Sequence, residues 1–333
     1  MIPDLIQLQR MNDGLLSPPE VVTLIDQMAQ IVAADPRYRV ARELIARDDF
    51  NAPSGAAVAR ALIVDVEATG LDRGNDRIIE LGMLAFEYEP QTSRILRVIE
   101  VLDELEDPGC PIPQAATAVH GIQDEMVRGK RIDDAQVARI AQDATMIIAH
   151  NADYDRAMLE RRFNCFTDLH WACSAREIPW RERGFASNAL GHLALASGFF
   201  FGAHRAVMDC RALLEVLARP FPSGEPASQP LPAFAFLLQS VVRRDHRLWA
   251  LQAPFERKDL LKARGYRWHN GDDGQPKSWT LSFPAESTRL EAELDWLGAT
   301  IYKAPARLRL DTIDARTRYT DRNAVSQSIQ LSR

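Results

Sequence analysis

Cysteine is scarce in this chain: 333 residues hold four, Cys110, Cys165, Cys173 and Cys210, and no two stand at a paired short spacing. That excludes a cysteine-built zinc cluster and a disulfide framework, and reduced thiols are expected. Long apolar runs are also missing. The longest, around Leu193 to Phe201, is broken by glycine and flanked by His192 and His204, far short of the roughly 20 residues that span a bilayer. The opening MIPDLIQLQR has neither the basic end nor the apolar core of a signal peptide, so a cytoplasmic protein with no membrane partner is expected. Repeats are absent too.

What is present is an uneven charge. Residues 231 to 333 hold 17 Lys and Arg against 12 Asp and Glu, a net of +5, which leaves residues 1 to 230 at −11 within the chain's −6. An acidic centre beside a basic flank suits a metal site next to a polyanion surface.

The chain divides by its punctuation. Residues 1–58 read as a helical extension: Ser17-Pro18-Pro19-Glu20 is a capping box with proline at the first helical position, and a second helix is expected over Arg39 to Ala46. Residues 59–219 read as three strands with tight connections (ALIVDVE, RIIELGMLAFEYE, RILRVIEVL), then alternating helix and strand. This predicts a mixed α/β sheet flanked by helices. Residues 220–232, FPSGEPASQPLP within them, read as a linker, 233–310 as a small α+β unit and 311–333 as a polar tail.

Three constellations carry chemistry. Asp65 and Glu67 stand two apart at the end of an apolar strand, so both face one side. Two carboxylates held that close favour a divalent cation, and oxygen donors select Mg2+ or Mn2+ over zinc. In His150-Asn151-Ala152-Asp153-Tyr154-Asp155 a strand ends and a helix begins. Asn151 is placed to cap it, Asp155 falls in the first turn at the positive end of the helix dipole, and Asp153 points about 200° away. In His204-Arg205-Ala206-Val207-Met208-Asp209 a continuous helix would set the two end residues about 140° apart. His204 is therefore expected on the preceding loop, with Asp209 inward, and a loop histidine suits a general base.

Asp65-Val66-Glu67-Ala68-Thr69-Gly70, His150 to Asp155 and His204 to Asp209 together resemble the three motifs of the DEDDh (DnaQ-like) exonucleases, the group that contains the proofreading epsilon subunit of bacterial DNA polymerase III. Thr117-x-x-His120-Gly121-Ile122 resembles a further segment of that family. The resemblance spans roughly residues 60 to 218. It implies an RNase H-like fold and a 3′→5′ exonuclease that releases 5′-mononucleotides from single-stranded 3′ ends, DNA favoured over RNA, with two divalent metal ions, Mg2+ or Mn2+. Asp65, Glu67, Asp155 and Asp209 are the implied ligands and His204 the implied base. Ala68, Thr69, Gly70, His120 and Asn151 are implied near substrate; a structural histidine and a simple helix cap are the alternative readings of the last two. Ala68 departs from the threonine common at that position. An RNA exonuclease of the same fold, and a catalytically silent subunit that recruits a polymerase or repair protein, are the rival readings.

Four of the six tryptophans lie after the linker, and Lys258, Lys262, Arg264 and Arg267 alternate there with Phe255, Tyr266 and Trp268. Aromatics interleaved with cations suit single-stranded nucleic acid, and Lys258, Lys262, Arg267 and Trp268 are the candidate contacts. Core packing is the competing account of each tryptophan.

Overall fold

The computed structural model describes residues 5–220, 231–271, 274–320 and 325–331. Most of the expected linker lies outside the described residues; its ends, Pro220 and Pro232, form an isolated antiparallel bridge.

Helices α1 (Leu5–Asn12) and α2 (Pro18–Ala33) lead into β1 (Arg42–Glu43). The expected Ser17 to Glu20 capping box forms. The helix expected over Arg39 to Ala46 does not: Arg42 and Leu44 donate their backbone N–H groups to Gly198 and Phe200, so β1 pairs in parallel with β7 (Phe199–Phe200). One apolar contact at Leu44 gives a helix too little to bury, and tertiary backbone pairing wins.

The first sheet-bearing unit follows as β2 (Ala59–Ala68), β3 (Ile78–Glu89), β4 (Arg94–Leu105), α3 (Gln114–His120), α4 (Asp124–Val127), α5 (Asp134–Gln142), β5 (Met146–Ala149), α6 (Ala152–Arg162), β6 (Trp171–Cys173), α7 (Ser174–Glu177), α8 (Leu190–Ala196), then β7 and α9 (Ala206–Ala218). The sheet order is β4-β3-β2-β5-β6. The first three strands are antiparallel, and β5 and β6 run parallel to β2. Alternation along β2 builds two cores. Ala61 and Ile63 pack toward α8 and α9, while Leu62 and Val64 pack toward α5 and α6.

Helix α10 (Phe234–Val242) begins where the second unit was expected, yet Phe234 sits edge-on to Phe86 at 5.4 Å and to Tyr88 at 4.9 Å inside the first core. Large aromatics bury where the area is, and here that is the first sheet. The second unit comprises β8 (Asp245–Ala250), α11 (Lys258–Ala263), β9 (Arg267–His269), β10 (Ser278–Pro284), α12 (Arg289–Trp296), β11 (Ala306–Ile313) and β12 (Val325–Leu331). Its antiparallel sheet has the order β12-β11-β8-β10-β9. The stretch expected as a polar tail therefore supplies the end of β11 and all of β12. Its polarity reflects an edge strand whose open face meets water.

The β11–β12 connection also fastens the two units. Trp171 donates its N–H to the Ala315 carbonyl at 2.8 Å, and the fully buried Arg156 reaches the carbonyls of Arg316 and Arg318. Arg318 in turn pairs with Glu177 at 3.0 Å. Among the described residues no helix is long and apolar enough to cross a membrane, and all four cysteines are free.

Candidate active site

Asp65 and Glu67 leave the apolar run of β2 on the face shared by Ala61 and Ile63, the face that α9 covers. Close approach of α9 depends on Gly82, the cross-strand partner of Asp65. A Cβ there would lie 2.5 Å from the Ala206 carbonyl carbon and 2.6 Å from the Val207 nitrogen. With no side chain at 82, the first turn of α9 rests on the sheet and brings Asp209 to the strand end. One carboxylate oxygen each from Asp65, Glu67 and Asp209 then lie within 4.8 Å of one another.

Asp155 comes from α6, which follows β5 and packs on the opposite face of the sheet. It is buried and accepts the Val66 N–H at 3.2 Å. The α6 start is held to the loop after β2 by the Tyr154 hydroxyl, which donates to the Gly70 carbonyl at 2.6 Å. Asp153, expected to point away, pairs with Arg176 at 2.9 Å instead of joining the cluster. Asn151 occupies the N-cap position, but its side chain makes no capping bond and stays exposed.

The electrostatics are those of crowded acid without counter-charge. Burial, then repulsion from Asp155 and Asp209, drives the Asp65 carboxyl well above its usual range. Burial and Asp209 push Glu67 up to about 8. Burial takes Asp155 to about 7 and Asp209 to about 6, the latter restrained by backbone N–H groups of Arg205 and His204. Among the described residues no lysine or arginine forms an ion pair with any of the four.

His204 lies on the loop before α9, as the spacing required. It adopts φ +67°, is exposed, and donates its backbone N–H to the Asp209 carboxylate at 2.8 Å. Two residues not singled out from the sequence hold that loop. Glu80, fully buried and directly across from Glu67, accepts Arg205 Nη2 at 2.6 Å and the Ala206 N–H at 2.9 Å. The signal was available: an acid at 80 and a glycine at 82 interrupt the apolar run from Ile78 to Phe86.

Of the remaining expected contacts, Ala68 and Thr69 are buried. The Thr69 hydroxyl donates to Asp76 at 2.7 Å. A Cβ at Gly70 would meet that carboxylate at 2.5 Å, so a side chain there would have to displace Asp76. His120 is buried; its Nδ1 accepts the Ile122 N–H at 3.0 Å, placing the ring proton on Nε2. Burial lowers its pKa against the opposing pull of Glu80 and the Ala68 backbone, which places it beside the site. His150, by contrast, is structural, bonded to Ser174 at 2.9 Å and the Asn188 carbonyl at 2.8 Å.

The four C-terminal candidates do not share one face. Trp268 packs with Trp279 on the side that α11 and α12 cover, whereas His269 meets Trp249 on the other. Alternation puts Arg267 with His269. Lys258 and Lys262 lie on α11, their ammonium groups 4.1 Å from the Phe255 ring centre and 6.0 Å from that of Trp279.

Comparison with known proteins places residues 62–217 within the RNase T family, described as exonuclease. An uncharacterized exonuclease of Escherichia phage 186 is 31% identical over 179 residues, covering 47% of this chain and 85% of that protein. A DNA polymerase III subunit epsilon-like protein of Rhodobacter capsulatus is 34% identical over 105 residues, 30% of this chain and 14% of that much longer protein. Among solved structures, Escherichia coli exonuclease I in complex with a dA16 oligonucleotide aligns with 17% identity and a TM-score of 0.42, over 72% of this chain and 68% of that one.

Proposed function

The chain belongs to the RNase T exonuclease family, and from that premise we propose that it is a metal-dependent 3′→5′ exonuclease. It removes 5′-mononucleotides from single-stranded 3′ ends, DNA in preference to RNA. One observation carries this reading: four carboxylates, Asp155 buried and the other three half-buried, come from three separate stretches of chain and gather without an ion-pair partner, beside an exposed histidine.

That donor set fits two divalent ions of the Mg2+ or Mn2+ kind. Its donors are all oxygen, and burial and then mutual repulsion raise its pKa values, a strain that added positive charge relieves. Asp65, Glu67, Asp155 and Asp209 would hold them. When bound, such ions supply Lewis acidity at the scissile phosphate and at the attacking and leaving oxygens.

The protein's own groups do the rest. His204, outside the carboxylate cluster but tethered to Asp209 through its backbone, takes the proton from the attacking water. The Glu80–Arg205 pair keeps the loop in register. The Gly70 turn, His120 Nε2 and the uncommitted Asn151 side chain border the strand end and contact the terminal nucleotide.

The test is release of mononucleotides from labelled oligonucleotides with manganese, with and without EDTA, on matched DNA and RNA at fixed salt. EDTA-resistant release would overturn the metal dependence. No release from any substrate would overturn the enzyme reading in favour of a silent binding subunit, and faster release from RNA would reverse the substrate preference.

A further inference from the structure

The C-terminal sheet has one face packed under α11 and α12 through Leu248, Leu281, Leu308 and Leu310. Strand register defines what stands on the other. One cross-strand row reads Arg267, Thr280, Trp249, Arg309, Ser328; the next reads Ser282, Arg247, Asp311, Ser326; beyond lies the pair Arg307 and Gln330. Arginines thus occur on β8, β9 and β11, with hydroxyl and amide groups between them.

A solvated sheet face ordinarily mixes charges of both signs. On this one, among the described residues, both acids are already paired. Asp311 is buried beneath the face, bonded to Trp249 Nε1 at 2.7 Å and to Arg309 at 2.7 Å. Asp245, at its end, is taken by Arg243 at 3.1 Å and Arg318 at 3.4 Å. Serine acceptors steer the arginines: Ser328 takes Arg307 Nε at 2.7 Å, and Ser326 takes Arg309 Nε at 3.1 Å. Arg267, Arg307 and the serines are exposed.

We propose that this arginine-bearing open face, and not the lysine-bearing α11 side, holds the phosphate backbone of the single-stranded nucleic acid whose 3′ end is hydrolysed. The inference rests on the exonuclease reading above. Planar guanidinium groups match phosphate oxygens bidentately, and neighbouring strands set several of them on one face of the sheet. The α11 side is a weaker match, because Glu256 and Asp259 accompany Lys258 and Lys262 within two turns.

The experiment uses the full chain with EDTA, so that binding is read without cleavage, and fluorescence anisotropy of a labelled single-stranded oligonucleotide across a salt series. Replacing Arg247, Arg267 and Arg307 together with glutamine should weaken binding at least about tenfold at low salt and flatten the salt dependence by a slope of about 2, as expected for three lost phosphate contacts. The matching lysine triple should keep the wild-type slope, which separates charge from folding. Lys258→Gln with Lys262→Gln should change little.

Wild-type affinity and slope in the glutamine triple, or a larger loss from the lysine pair, overturns the proposal. Wild-type chain that binds the oligonucleotide but never cleaves it overturns the exonuclease reading instead and leaves the face standing.

Discussion

In the C-terminal unit the buried acids have cations: Asp311 receives Arg309 at 2.7 Å, and Glu293 receives Arg264 at 3.0 Å and Arg289 at 3.2 Å. At the end of β2 four carboxylates gather with none, although Glu80, the next acid along, is paired with Arg205 at 2.6 Å. Both sheets bury acid, so burial does not distinguish a site from a scaffold. Pairing does: a paired acid already has what stabilises it, and an unpaired cluster keeps that capacity for a ligand.

The contrast breaks first at Asp65. Asp65→Ala should remove hydrolysis by on the order of 10²- to 10³-fold or more at saturating manganese, with no loss of thermal stability in EDTA, because it relieves repulsion. Asp153→Ala, outside the cluster, should remain active. Turnover retained in the first variant removes the site assignment.

His204→Ala should cost about 10²- to 10⁴-fold in kcat with KM nearly unchanged, since a general base acts in the transition state. Its rate should partly recover at high pH. A KM effect of equal size would make His204 a substrate contact.

Gly82→Ala tests the close approach of α9. Overpacking should cost about 1–3 kcal/mol, and a shift of Asp209 by an ångström about 10²-fold in rate. Urea denaturation and single-turnover kinetics measure the two separately; full activity would show that α9 adjusts without moving its aspartate.

Asp311→Ala is the converse of Asp65→Ala. Removing one member of a buried pair should destabilise by about 3–5 kcal/mol, while the rate on a dinucleotide per folded molecule stays unchanged. A stability equal to wild type would make the distinction between paired and unpaired acid empty.

The smallest effect is the pH dependence of the metal-free protein. Glu67 titrates at about 8 and Asp155 at about 7 in the fold, both above the usual carboxylate range. The folded chain therefore keeps protons that the unfolded chain has lost. These groups stabilise the fold fully below about pH 4 and lose that contribution as pH rises to about 8. In EDTA the Tm should fall over that window, and Mn2+ should restore more at pH 8 than at pH 5. A metal-free Tm that rises over the same window contradicts the raised values.

The site was largely legible because its parts are local. D-x-E at a strand end, an aspartate in a helix's first turn and a loop histidine five before another aspartate are each visible in a few consecutive residues. Glu80 and Gly82 were not read, because their work is done across strands: one bonds to Arg205, 125 residues away, and the other makes room for Ala206. Nor could locality show that Arg267 and Trp268, neighbours in sequence, stand on opposite faces of one sheet. Nearness in sequence to Trp268 guarantees the opposite face once both lie on a strand.

The sequence by itself determined the chemistry on offer: the carboxylates and the histidine that the three motifs carry, and an acidic body followed by a basic third. Periodicity and the hard-oxygen preference of divalent cations are properties of residue type and spacing, so no coordinates were needed. Tertiary structure decided what belongs to what. Residues 233–242 joined the first core because Phe86 and Tyr88 are there to receive Phe234. The supposed tail became an edge strand and a clasp because the buried Arg156 takes its acceptors from residues 316 and 318. Long-range burial and hydrogen bonding satisfy groups as much as 162 residues apart, and a local pattern carries no record of the partner it will find.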